Sequence, residues 1–207
     1  MISYIIIAGP QASGKSTAKK HIEKTFKNVI VLEEAAEILL RQKGISGGAF
    51  VDVDFERDLL DFDLKKMRKC LEGRNVIYVD ETNIFSSAHA KIRDPEVGEE
   101  LFSGYVQMLN RFNTGIIFTH VNPEASLKRK ETVYMKRYQS LDDFRHKMEL
   151  SRKYILQIYP HLIDVFKRLD FPKEMVEGGV SLQEFEKNVE IAFQKVCSKM
   201  NVKVERN

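Results

Sequence analysis

Cysteine is scarce. The chain has two in 207 residues, Cys70 and Cys197, far apart and with no Cys or His at metal-ligand spacing. A disulfide framework and a zinc finger are excluded, and two reduced, packed thiols in a reducing cytoplasm are the expectation. Long apolar runs are missing too. No stretch approaches the ~18 residues that a membrane helix needs, so no membrane partner is expected. The apolar run near the N-terminus lacks a basic flank and leads straight into a glycine-containing loop, so it does not read as a secretion signal. No sign of charge dominates: 33 basic against 30 acidic residues leave a net +3. That is too mild to argue for nucleic acid, although it does not oppose an anionic substrate. Repeats, low-complexity tracts and Pro/Ser-rich linkers are absent, so residues 1–207 read as a single domain. The histidines (His21, His89, His120, His146, His161) are scattered without metal-site spacing, and none is assigned to a metal.

What is present begins at Gly9. Gly9-Pro10-Gln11-Ala12-Ser13-Gly14-Lys15-Ser16-Thr17 fits G-x-x-x-x-G-K-[ST], the phosphate-binding P-loop. Before it, Tyr4-Ile5-Ile6-Ile7-Ala8 reads as a buried parallel strand, and after it Lys15 to about Phe26 has helix composition. Gly9 and Gly14 let the backbone turn so that successive N–H groups converge, and the new helix adds its positive end. A polyphosphate is the natural guest. Lys15 would reach its β- and γ-phosphates, and the Ser16 hydroxyl would face Mg²⁺.

The rest alternates strand and helix. Strands are expected at Asn28–Leu32, Asn75–Val79, Gly115–Val121 and near Glu174–Glu177. Between them lie a helix at Glu33–Lys43, a Gly-rich loop at Gly44–Val53, and a long helix from an Asp54 N-cap to a stop near Gly73. Helices at Ile84–Ile92 and Glu96–Phe112 are split by Asp94-Pro95. A basic segment, Glu124–Tyr138, follows Pro123, and Leu141–Tyr159 ends at Pro160. The stretch Leu162–Leu169 is ambiguous, and Leu182–Met200 closes the chain as an amphipathic helix. Such alternation argues for a parallel sheet with helices on both faces, and ligands in such sheets sit beyond the carboxyl ends of the strands.

Carboxylates stand at those ends. The run Val76–Val79 leads into Asp80 and Glu81; Asp80 is read as the magnesium ligand facing Ser16, with a strand-end cap as its alternative. Glu81 is left open between orienting a nucleophile, binding substrate and facing solvent. Glu33-Glu34 follow strand two. Either could accept a proton from an attacking hydroxyl, Glu34 ahead of Glu33, and a solvated helix N-terminus is the alternative. Arg41, two turns on, could bind an acceptor phosphate, but a surface charge is the preferred reading. After strand four, Arg129 and Arg137 lie eight residues apart, on nearly one helical face. They are candidates for neutralising charge on a transferred phosphoryl from a mobile lid at 123–138. Phe50 is a weak candidate for touching a substrate ring; Gly178-Gly179 could let backbone approach an adenine ring, but a plain turn is the preferred reading.

With these residues the chain resembles the P-loop nucleoside and nucleotide kinases, nearest their thymidylate-kinase-like and deoxynucleoside-kinase-like branches and the related small AAA-type ATPase/kinase proteins. The resemblance implies a three-layer fold with a five-stranded sheet in order 2-3-1-4-5, ATP with magnesium as donor, and a lid closing with arginines. On it, Lys15 and Ser16 bind the donor, Glu34 meets the acceptor hydroxyl, and Arg129 and Arg137 act from the lid. The chain differs in carrying Asp80-Glu81-Thr82, with no arginine, after strand three. The leading expectation is a kinase for a small, nucleoside- or nucleotide-like acceptor; a homodimer stays open. The alternative is a P-loop ATPase or regulatory switch acting on a protein partner. The modest net charge argues against a polynucleotide end kinase.

Overall fold

Ser3–Ala8 form strand β1, and all six residues are buried. A strand buried on both faces must be covered on both, and its alternation decides what covers each. Tyr4, Ile6 and Ala8 face one side, Ile5 and Ile7 the other. Each of these isoleucines is fully buried, a contribution of about 1.5–3 kcal/mol apiece. The computed structural model describes residues 1–45, 51–73, 76–81, 83–135 and 141–207. Phe50 and Arg137, together with Gly47, Gly48 and Thr82, lie outside the described residues.

β1 is the middle of a five-stranded parallel sheet with β2 (Val29–Val31), β3 (Ile77–Glu81), β4 (Asn113–His120) and β5 (Lys173–Glu177). Its order is β2-β3-β1-β4-β5, as the resemblance implies. The chain leaves β1 toward β2 on one side and later reaches β4 on the other, so the carboxyl end of β1 is the point where the strand order reverses. Helices α1 (Lys15–Thr25) and α8 (Leu182–Lys199) cover the Ile5/Ile7 face through Ala18, Ile22, Phe185, Val189 and Phe193. The opposite face is covered by α3 (Val53–Cys70), α4 (Ser86–Lys91), α5 (Pro95–Leu109) and α7 (Leu141–Arg168). Between α1 and α3 in the chain, α2 (Ala35–Lys43) leans on α3 through Ala35, Leu39, Phe55 and Leu59. The basic segment forms α6 (Pro123–Met135), which packs on α7.

Three expectations are corrected. The N-cap of α3 is Asp52, which accepts from Phe55 N at 2.8 Å; Asp54 lies in the first turn. Starting there brings Val53 against the cluster of Ala90, Val97 and Leu101. The same helix ends at Cys70, short of Gly73. Pro160 does not stop α7, which runs on to Arg168 and absorbs the ambiguous stretch. A proline inside a helix costs about 3 kcal/mol, and burying Leu162, Val165 and Leu169 to 2% exposure on the far side outweighs it. Asp94 does split α4 from α5: its Oδ1 accepts from Glu96 N at 3.0 Å and Val97 N at 3.2 Å, with Pro95 in the first turn. Among the described residues no helix is long and apolar enough to cross a membrane.

Candidate active site

The loop after β1 is held in a shape that needs glycine. Gly9 has φ 143°, and a Cβ there would lie 2.2 Å from the Thr119 carbonyl oxygen on β4. Gly14 has φ 102°, and its Cβ would lie 2.8 Å from the Phe185 ring. The Thr119 hydroxyl donates to Ala8 O at 3.0 Å, so Ser13 Oγ is the donor in its 2.6 Å bond to Thr119 Oγ1. That bond ties the loop to the sheet. Gly14 caps α1 without a side chain, so the first amides of the helix are turned to the loop's concavity, a site for an anion. A cavity of about 340 Å³ lies there, lined by Ala12, Ser13, Gly14, Lys15, Ser16, Thr17, Glu81 and Arg129. Lys15 Nζ donates to Pro10 O at 3.1 Å and stands 3.7 Å from Glu81 Oε1.

Asp80 is not at this cavity. In the β1/β3 register Asp80 lies beside Ile6 and Glu81 beside Ile7, so the two carboxylates leave opposite faces of the sheet. Asp80 is fully buried on the face away from α1. Its Oδ1 accepts from Glu81 N at 2.8 Å, and its Oδ2 accepts from Tyr4 Oη and from Asn83 Nδ2 at 3.1 Å and pairs with Lys66 Nζ at 2.7 Å. The carboxylate that faces the P-loop is Glu81, whose Oε2 pairs with Lys19 at 3.1 Å and accepts no hydrogen bond. The expected facing of Asp80 and Ser16 is therefore corrected in favour of Glu81.

Sequence reasoning missed the hub behind Asp80. Lys66 Nζ also reaches Asp63 Oδ1 at 2.9 Å and donates to Glu33 O at 3.4 Å, joining α3, β3 and the start of α2. Tyr105 Oη donates to Asp63 Oδ2 at 2.8 Å. Burial pushes the Asp63 carboxyl up to about 6, opposed by Lys66. Burial works against the Lys66 ammonium, yet the charges of Asp63 and Asp80 outweigh it and raise its pKa. The available signal was Asp63 itself, a carboxylate on the buried stripe of Phe55, Leu59, Met67 and Cys70. Lys66→Met would leave two buried carboxylates unpaired and is expected to cost about 3–5 kcal/mol in urea unfolding. A loss below about 1 kcal/mol would contradict the pairing described.

Glu34 and Glu33 part ways. Glu34 is half-buried and Glu33 is exposed, with Arg41 Nη2 on Glu33 Oε1 at 2.9 Å at the outer surface. Glu34 caps α2 without spending its carboxylate on the helix amides. It lines a second cavity, of about 490 Å³, together with Gly9, Gln11, Lys15 and Glu37. Burial, then the charge of Glu81, raises its pKa to about 7, while Lys15 pulls it down. A carboxylate poised there suits proton acceptance near neutral pH.

The inner walls of this cavity include Leu40, Val51, Phe55, Leu59, Phe85, Ile158 and Leu162, with Glu56, Ser86 and His89 among them. Burial raises Glu56 to about 8 against the pull of Arg93, which stands 3.6 Å away. Burial, then Arg93 and Lys15, lowers His89 to about 3, so its ring is neutral; its Nδ1 bonds Tyr154 Oη. Ser86 Oγ is buried beside the Tyr105 phenol. Spacing marks none of these three.

From α6, Arg129 Nη1 donates to Ala12 O at 3.0 Å and Nη2 to Gly178 O, while Lys130 Nζ donates to Gln11 Oε1. Ser126 Oγ donates to Gln11 O. The P-loop is thus gripped by α6 from outside. A small cavity of about 190 Å³ adjoins it, between Arg129, Gly178, Val180, Leu182 and Phe185. The Ser16 hydroxyl and the Glu81 carboxylate line one cavity, and Glu81 Oε2 still lacks a hydrogen bond. These are hard oxygen donors of the kind magnesium takes in company with substrate phosphates. No cluster of three or more His, Cys, Asp or Glu able to hold a metal occurs among the described residues.

No protein-family model matches the chain, and no curated protein does either. Among solved structures it is similar to deoxyadenosine kinase of M. mycoides, solved with dCMP and a flexible dCDP: 15% identity, 94% of this chain and 99% of that one, TM-score 0.61. It is also similar to the NadR protein solved with NR, at 14% identity and TM-score 0.64; the whole of this chain spans 53% of that one. A third is YorR of Bacillus subtilis with phosphorylated GDP, at 15% identity, 93% of this chain and 96% of that one, TM-score 0.52. At such identities the likeness is one of fold.

Proposed function

We propose that this protein is an ATP-dependent small-molecule kinase that moves the γ-phosphoryl group to a hydroxyl of a nucleoside- or nucleotide-like acceptor. The observation that carries the reading is Glu34. It lines the larger cavity with Lys15, which also lines the phosphate cavity, and it lies within electrostatic reach of Lys15 and Glu81. The structural neighbours named for kinase activity support the same class.

In this reading the triphosphate lies on the amides of residues 9–17, and the acceptor fills the larger cavity. The acceptor oxygen attacks the γ-phosphorus as the bond to the β-bridging oxygen breaks. Glu34 takes the hydroxyl proton, and ADP leaves. Lys15 and Arg129 offset charge on the transferred group. Ser16 and Glu81 would hold magnesium, which neutralises phosphate charge when bound. The stretch 123–138 serves as the lid. Glu81→Gln is expected to raise the magnesium concentration for half-maximal rate by about 10–100-fold, read from a magnesium titration of activity. An unchanged requirement would remove Glu81 from that role.

The test is acceptor-stimulated ADP release across nucleosides, nucleotides and vitamin precursors. Stimulation by one class of small molecule is the expected result. A second reading, ATP hydrolysis in a switch, rests on Glu81 standing beside Lys15, where it could orient water. It would be marked by ADP release that ignores small acceptors and responds to a protein partner.

A further inference from the structure

The larger cavity carries a charge pattern that selects among acceptors. Its acidic lining residues are Glu34, Glu37 and Glu56; its basic ones, among the described residues, are Lys15 and Lys130. Both lysines are engaged with the P-loop: Lys15 with Pro10 O and Glu81, Lys130 with the Gln11 side chain. No arginine lines the cavity among the described residues. Arg41, the one arginine on α2, is turned to the outer surface and held by Glu33, its side chain 72% exposed. Arg93 stands behind Glu56, donates to His89 O at 2.7 Å, and lies over the Tyr154 ring. His89 is uncharged.

A phosphate monoester needs charge-assisted donors, and sites that take one supply them with arginine forks or lysines. An acceptor phosphate here would meet Glu37 or Glu56 instead. Neutral or ionised, Glu56 brings no positive charge. What the inner end does offer is a place for an uncharged polar edge. The Ser86 hydroxyl, 1% exposed, lies beside the Tyr105 phenol, and Glu56 is 3% exposed, between apolar walls that include Phe55 and Phe85.

We infer that the acceptor is a phosphate-free hydroxyl compound, uncharged or cationic, and that Glu37 is the charge that turns phosphorylated acceptors away. The inference rests on the kinase reading given above. It sorts the possible acceptors by charge, which that reading alone does not do.

The experiment uses matched pairs: adenosine, deoxyadenosine, guanosine, cytidine, thymidine and a cationic pyridinium riboside, each against its own 5′-monophosphate. ADP release gives kcat/KM for each, and mass spectrometry identifies the product. At least one phosphate-free member should exceed its monophosphate by about a hundredfold or more, the scale on which a site rejects a group that it leaves unpaired. In Glu37→Gln the gap should narrow by about tenfold or more, mainly through a lower KM for the monophosphate. Glu37 is exposed, so this substitution leaves the buried walls of the cavity as they are. A monophosphate that matches or outdoes its nucleoside overturns the inference. So does a gap that Glu37→Gln leaves unchanged, since a filter of shape alone would not respond to charge. Failure of the kinase reading looks different: no member of either arm stimulates ADP release, and the inference falls with it.

Discussion

Replacing Lys15 with alanine is expected to cut kcat for phosphoryl transfer by about a hundred- to a thousandfold, the usual scale for losing a fixed positive donor aimed at developing charge. The loop amides and Arg129 remain, so residual rather than zero activity is the expectation. The fold should survive the change. Lys15 makes one loop hydrogen bond and stands 3.7 Å from Glu81, while Lys19 holds the same carboxylate at 3.1 Å. Melting should therefore shift by no more than about 4 °C, roughly what 1 kcal/mol does to a chain of this size. A variant that is folded and fully active would take Lys15 out of the mechanism.

Glu34→Gln keeps the shape of the side chain and removes its capacity to take a proton. The expected loss in kcat is about a hundred- to ten-thousandfold, the range for general base catalysis. The pH dependence follows from the same residue. Burial and the neighbouring charge of Glu81 keep the proton on Glu34 up to about pH 7. The base form is the working form, so kcat/KM of the wild type should rise with pH through about 7 and level off above it. That limb belongs to the free enzyme and should vanish in the glutamine variant. A wild-type profile flat from about pH 5.5 to 8.5 would contradict the assignment.

Much of the architecture is legible where the signal is local. The apolar run into Gly9, the loop pattern and the helix after it are contiguous, and the sheet order followed from the resemblance they support. Asp94-Pro95 punctuates two helices because both the cap and the proline act within a turn. What failed to be legible depends on contacts far along the chain. Whether Asp80 or Glu81 faces the loop turns on which side of the sheet α1 covers, and the acidic pair itself carries no mark of that. Pro160 ends a helix by local rules and fails to do so here because the residues beyond it are buried on the sheet. Glu33 and Glu34 are equivalent in composition; the placement of α2 puts one in the cavity and leaves the other outside with Arg41. Glu56, Ser86 and His89 share a cavity only after α3 and α4 have packed on each other.

The most direct test follows the phosphoryl group itself. The protein is incubated with magnesium and ATP labelled in the γ-phosphate, with and without the acceptor that best stimulates ADP release, and the label is separated by chromatography. The predicted result is label in a new phosphomonoester of the acceptor, formed only when the acceptor is present and formed about a hundredfold or more slowly in both Lys15→Ala and Glu34→Gln. Label recovered as inorganic phosphate whether or not an acceptor is present, or transfer undiminished in those two variants, would contradict the account.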